Sequence, residues 1–143
     1  MLVKDLRVQR SVSVLMPVKD AQATLNDSVL ETLDWLADHA AQFELLIIDD
    51  GSTDATSEVA HELTRHYPQV QMICHRTPLG QEAAIRTGMS RSRGEVVMVR
   101  DERHRYRVVA QRPQAQGAPA APVASRPGRP NYLSRLQGVA PGR

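Results

Sequence analysis

Four short apolar runs punctuate the N-terminal part of the chain: "SVSVLMPV" (11–18), "ELLIID" (44–49), "VQMIC" (70–74) and "EVVMV" (95–99). Between each pair lies a stretch with helical spacing. Leu25, Val29, Leu33 and Leu36 fall at i, i+4, i+8 and i+11, so a helix there carries one apolar stripe. Val59, Leu63 and Tyr67 line up in a second, with Thr53 or Asp54 as N-cap and Pro68 as stop. A third runs from Gln81 to Ser92, with Ala84, Ile85 and Met89 inward and Gly94 as punctuation. Strands alternating with helices of this length form βαβ units, whose crossovers make neighbouring strands parallel. "LLII" (45–48) has no polar face, as expected of a strand covered on both sides. The expected class is α/β: a Rossmann-like parallel sheet with helices on both faces.

This pattern stops near residue 104, and the charge changes with it. Residues 1–103 hold 11 Lys and Arg against all 16 Asp and Glu, a net charge of −5. Residues 104–143 hold 7 Arg and no acid, and Ala, Arg, Pro and Gly fill 24 of those 40 positions. A segment so poor in apolar residues buries too little surface to offset the entropy of ordering it. The expected organisation is a folded unit over 1–103 and a disordered tail over 104–143, with at most one helical turn in "NYLSRLQ" (131–137). The acid-free tail offers electrostatic contact with a polyanion, but charge alone carries no sequence specificity.

Other totals narrow the function classes. At 143 residues the chain is one domain at most. The longest apolar runs are far shorter than the ~20 residues of a membrane helix, and the N-terminus "MLVKDLRVQRSVSV" mixes charges among its apolar residues, unlike a signal peptide. A single cysteine, Cys74, makes no internal disulfide and fits a reducing, cytoplasmic setting; its plain reading is buried packing. Trp35, beside the first stripe, reads as packing too. The histidines at 39, 61, 66, 75 and 104 show no metal-ligand spacing.

The chemistry concentrates in "FELLIIDDGSTDAT" (43–56). Asp49 and Asp50 end the second strand, and in an open parallel sheet ligands bind beyond the carboxyl ends of the strands. A dinucleotide fold would carry G-x-G-x-x-G in the first strand–helix turn, whereas "PVKDAQAT" (17–24) has no glycine. A phosphoacceptor receiver would need a late lysine, and the only lysines are Lys4 and Lys19. The plain alternative is that both acids only shape a turn and cap a helix.

"SVLMPVKDAQATL" (13–25), "ELLIIDDGSTDAT" (44–56) and "PLGQEAAIRTGMSRSRGEVVMVRDE" (78–102) together resemble the N-terminal, nucleotide-binding half of a family 2 glycosyltransferase of the GT-A fold. The resemblance covers residues 11–102, and its order and spacing agree over all three segments. It implies a nucleotide diphospho-sugar as ligand and glycosyl transfer to an acceptor as the activity. It places Pro17 and Val18 against the base and gives Asp49 or Asp50 the base edge or ribose, the other acid shaping the turn with Ser52 and Thr53. Gly80, Arg86 and Gly88 fall in the family's N-x-G-x-x-x-A-x-x-x-G region beside the nucleotide. Asp101 stands at the first acid of D-x-D, which holds Mg²⁺ or Mn²⁺ against the diphosphate.

Two departures accompany it. Arg103 occupies the second acid position, giving D-E-R, and a guanidinium there repels a hard cation. Glu102 is then the substitute ligand, or Arg103 itself meets the diphosphate. The acceptor-binding half that follows D-x-D in the family is replaced by the Arg/Ala/Pro/Gly tail, in which His104 is the lone base candidate, so no catalytic residue is assigned. The expectation is a half-domain followed by unrelated sequence, whose GC-rich-codon residue types fit a shifted reading frame. Other readings are a non-catalytic nucleotide-sugar module that meets a protein partner along a sheet edge left exposed after "EVVMV", and polyanion binding through the tail.

Overall fold

The structure is a computed structural model and describes residues 10–113. The elements run β1 (Val12–Val18), α1 (Leu25–His39), β2 (Phe43–Asp50), α2 (Thr56–His66), β3 (Val70–His75), α3 (Gln81–Arg91), β4 (Val96–Arg100) and β5 (Tyr106–Gln111). They build one five-stranded sheet in the order β3-β2-β1-β4-β5. The first four strands are parallel and β5 is antiparallel to β4. The class is α/β, as the alternation predicts.

Strand periodicity divides the core in two. Val12, Val14, Met16, Leu45, Ile47, Val96 and Met98 face one side, where they pack with Leu25, Val29, Leu33 and Leu36 of α1 and Leu63 of α2. Leu15, Leu46, Ile48, Val97 and Val99 face the other, under Ala84 of α3. All eight residues of β2 are buried, so its lack of a polar face has its reason in two covering layers. Gly88 lets α3 lie close on the sheet: a Cβ there would stand 2.9 Å from Leu15 Cδ2. Since β1 is flanked by β2 on one side and β4 on the other, the chain reverses its winding direction beside it, and a crevice opens there at the strands' carboxyl ends.

The fold extends past the boundary read from the sequence. Residues 106–111 form β5, where a disordered tail is expected. Its six residues are held by partners remote in sequence. Tyr106 stacks on Trp35 with ring centroids 3.9 Å apart, Val108 packs on one core layer, and Val109 and Ala110 pack on the other. Arg112 then donates to the carbonyls of Met89, Ser92 and Gly94. The edge expected to lie open after "EVVMV" is therefore paired, and the described sheet ends at β3 and β5.

Smaller differences have local causes. Helix α2 starts at Thr56 rather than directly after Thr53 or Asp54, and Asp54 accepts the Thr56 amide across an Asx-type turn. Cys74 is exposed instead of buried, on β3, a strand at the edge of the sheet. Residues 131–137 lie outside the described part. Among the described residues no helix is long and apolar enough to cross a membrane.

Candidate functional site

The crevice at the carboxyl ends of the strands is a cleft of about 590 Å³. Its walls come from the end of β1 (Met16–Lys19), the entry and first turn of α1 (Ala21, Thr24, Leu25, Ser28), the start of α3 (Gly80, Gln81, Ala84), and the β4–β5 turn (Arg100–Glu102, His104), with Asp50 and Pro78. Pro17, Val18, Asp50, Gly80 and Asp101, which lie far apart in sequence, thus meet in one cavity. Asp49 and Arg86 are not among the lining residues, and Arg86 lies on the exposed side of α3.

Two loops interlock to form the cleft's edge. Asp20, in the left-handed region at φ 52°, accepts the Thr53 amide at 2.8 Å and donates its own amide to Ser52 Oγ at 2.8 Å. Ala21 donates to Thr56 Oγ1 at 2.8 Å, and Gln22 Oε1 accepts the Ala55 amide at 3.1 Å. The loop after β1 and the "DGSTDAT" turn therefore fix one another.

The paired acids divide. Asp49, 3% exposed, accepts from the amide and hydroxyl of Ser52 at 3.1 and 2.5 Å and closes its own turn. Asp50, 7% exposed, reaches across to the loop before α3: Oδ1 accepts the Leu79 amide at 2.8 Å, Oδ2 the Gly80 amide at 2.9 Å, and Oδ1 also meets His75 Nδ1 at 2.8 Å. His75 Nε2 in turn meets Thr87 Oγ1 at 2.9 Å, so an acid, an imidazole and a hydroxyl tie β2, β3 and α3 together. Burial pushes the Asp50 carboxyl up, but the bonds from His75, Leu79 and Gly80 outweigh it and hold it below its ordinary value. Two glycines make this possible. Gly51 has φ 72° and an added Cβ would lie 2.5 Å from Pro78 N, while Gly80 has φ 100°. No spacing in the sequence points to His75, because sheet register brings it to Asp50: the two are paired across β2 and β3.

At the opposite wall Asp101 serves the β4–β5 turn. Its carboxylate accepts the amides of Arg105 (2.9 Å) and Arg103 (2.8 Å) and the Arg105 Nε–H (2.9 Å). The Arg105 amide above all, then Arg103 and the Arg105 guanidinium, keep it ionised below the ordinary carboxylate range against a smaller desolvation. Glu102 is exposed and lines the cleft, whereas Arg103 is exposed and absent from the lining, so the contact expected between Arg103 and a diphosphate is not built into its position. A divalent cation needs several oxygen ligands. Here the first acid is already bonded to an arginine, the second is replaced by one, and among the described residues no three His, Cys, Asp or Glu side chains are grouped to hold a metal. These residues do not fit a divalent ion.

An open, mostly parallel α/β sheet with its cavity at the winding reversal defines a doubly wound α/β protein whose ligand crevice lies beyond the carboxyl ends of the strands. Residues 13–102 match Glycosyl transferase family 2, and the chain belongs to that family. It is 30% identical over 95 residues to "Dolichyl-phosphate beta-glucosyltransferase ALG5A" of Trichomonas vaginalis, covering 63% of this chain and 29% of that protein. It is 29% identical over 98 residues to "Undecaprenyl-phosphate 4-deoxy-4-formamido-L-arabinose transferase" of Edwardsiella ictaluri, covering 68% and 30%. The chain thus spans about three tenths of the length of these relatives. Among solved structures, the fold is similar to the mannosyltransferase PcManGT from Pyrobaculum calidifontis in complex with GDP-Man and Mn²⁺ (TM-score 0.58, 19% identity, 65% of this chain and 27% of that one). It is also similar to S. aureus TarS 1–349 in complex with UDP-GlcNAc (TM-score 0.54, 17% identity, 62% and 25%).

Proposed function

We propose that this chain is the donor-binding half of a glycosyltransferase, and that its cleft takes a nucleotide diphospho-sugar. One observation carries the reading: Pro17, Val18, Asp50, Gly80 and Asp101, contributed by separate segments, line a single cavity at the winding reversal of the sheet. In this reading the backbone at Pro17–Val18 meets the base, and Asp50 acts chiefly by positioning. It holds the Leu79–Gly80 backbone against the cleft, with lone-pair capacity on Oδ2 left for a base or ribose donor. Asp49 shapes the turn. The relatives whose names specify glucosyl or arabinosyl transfer support the reaction class.

Transfer itself needs an acceptor hydroxyl and a base within about 3 Å of it. Two of the carboxylates lining the cleft, Asp50 and Asp101, are engaged by their own donors, which leaves Glu102 and His104 at the rim. The described residues therefore account for holding a donor and not for activating an acceptor. Turnover is expected only where further polypeptide supplies the acceptor side.

Calorimetric titration of the 143-residue chain with UDP and with GDP tests the reading. Saturable binding of either, weakened in Asp50→Ala, is the expected result. A folded chain that binds neither would reduce the acids to turn formers and overturn it.

A further inference from the structure

Arg100 is 6% exposed and lines the cleft. By strand periodicity it should carry another apolar side chain, since Val96 and Met98 on the same side of β4 belong to the core. A guanidinium in that place is expensive unless its donors are filled. Among the described residues only Nη2 has an acceptor, Glu31 Oε1 at 2.6 Å, and Nε is buried without a partner. The partner is itself a surface group: the Glu31 side chain is 58% exposed and is shared with His104 Nδ1 at 3.5 Å. If Arg100 served only to tie β4 to α1, a leucine packed there would do so at lower cost. What the position offers is a fixed positive charge in the cleft wall, with Nη2 its one partnered donor, beside the hydroxyl-bearing Thr24 and Ser28 of the α1 entry.

Elsewhere in the cleft Lys19 adds a second cation at the rim, set against three carboxylates: Asp50 and Asp101 are turned to their own N–H donors, and Glu102 is exposed. We infer that the cleft binds a nucleoside diphosphate without a divalent cation, Arg100 supplying the charge and the N–H donors that hold the diphosphate. This rests on the donor-binding reading above. It reconciles an anion-binding cleft with a D-E-R turn that holds no metal ligands: a guanidinium presents a planar fork that matches two phosphate oxygens.

The test is calorimetry on the full chain with UDP and GDP, each in EDTA and in Mn²⁺, and with uridine and guanosine. Binding in EDTA, unaltered by Mn²⁺, is expected. Arg100→Leu should weaken the diphosphates about tenfold or more, the loss of a charged hydrogen bond, and leave the nucleosides unmoved, while Arg100→Lys keeps part of the affinity. Glu31→Gln, which keeps an acceptor for Arg100 but removes the competing charge, should tighten both diphosphates. Binding that requires Mn²⁺, or a Glu31→Gln chain with unaltered affinity, would overturn the inference and leave donor binding standing. A folded chain that binds no nucleotide in any condition overturns both.

Discussion

Asp49 and Asp50 are adjacent in sequence and do not act as a pair. Successive residues of a strand point to opposite faces, so Asp49 follows Ile47 toward the α1 and α2 layer while Asp50 follows Ile48 toward α3. The repulsion their adjacency suggests is relieved by the pleat, and each finds its own donors. The Asp50 donors include the backbone just before the N-terminus of α3, where a negative charge is also favoured by the helix dipole. Asp50→Asn removes the charge from a buried acceptor and should cost about 1.5–3 kcal/mol, the worth of hydrogen bonds to a charged group. Because its folded carboxyl sits below the ordinary value, that stability is present above pH ~4 and is lost as pH falls through the folded value. Urea melts of the two proteins should therefore differ at pH 7 and draw together toward pH 3. A gap that persists undiminished at low pH would contradict the assignment. The motif was legible here; the partition between the acids was not, since it depends on His75 and the 77–80 loop reaching them from elsewhere in the chain.

At the scale of elements, β1 to β4 and all three helices were readable because their apolar residues keep a period, and burial of that face is what holds them. Strand β5 keeps no such period. "YRVVAQ" carries an arginine and two adjacent valines, and it is set in an Arg-rich, acid-free stretch. Its order comes from pairing with the edge of β4 and from the stack of Tyr106 on Trp35, which in turn stacks on His39 at 4.4 Å. Trp35 is the single tryptophan, so the contact has a direct optical readout. Tyr106→Ala should shift Trp35 emission to the red and loosen β5 while far-UV dichroism is kept. Unaltered emission would place β5 elsewhere.

For the whole molecule, the sheet needs β5 more than composition suggests. Without it, the unpaired N–H and C=O groups of β4 would form an open edge next to two core layers. A chain ended at 103 is expected to melt about 10 °C or more below one ended at 113, the shift that losing a strand's worth of packing implies for a domain of this size. It should also associate with itself at the bared edge. Matching melts and a monomeric shorter chain would show that the unit closes at 103 after all. The same scale bears on function. The chain corresponds to roughly a third of its curated relatives and builds the cleft from its own segments, so nucleotide binding and sugar transfer are separable questions for it.

The sequence by itself determined the α/β class, the parallel order of crossovers and the family, because these rest on local periodicity and on motifs written in contiguous residues. Tertiary structure alone decided which acid faces the cleft, that Arg86 and Arg103 stay out of it, and that Arg100 enters it half-partnered. Those outcomes depend on register and on contacts across the chain, such as Asp50 with Gly80 and Arg100 with Glu31, and no local pattern records which distant group will arrive to fill a donor or an acceptor.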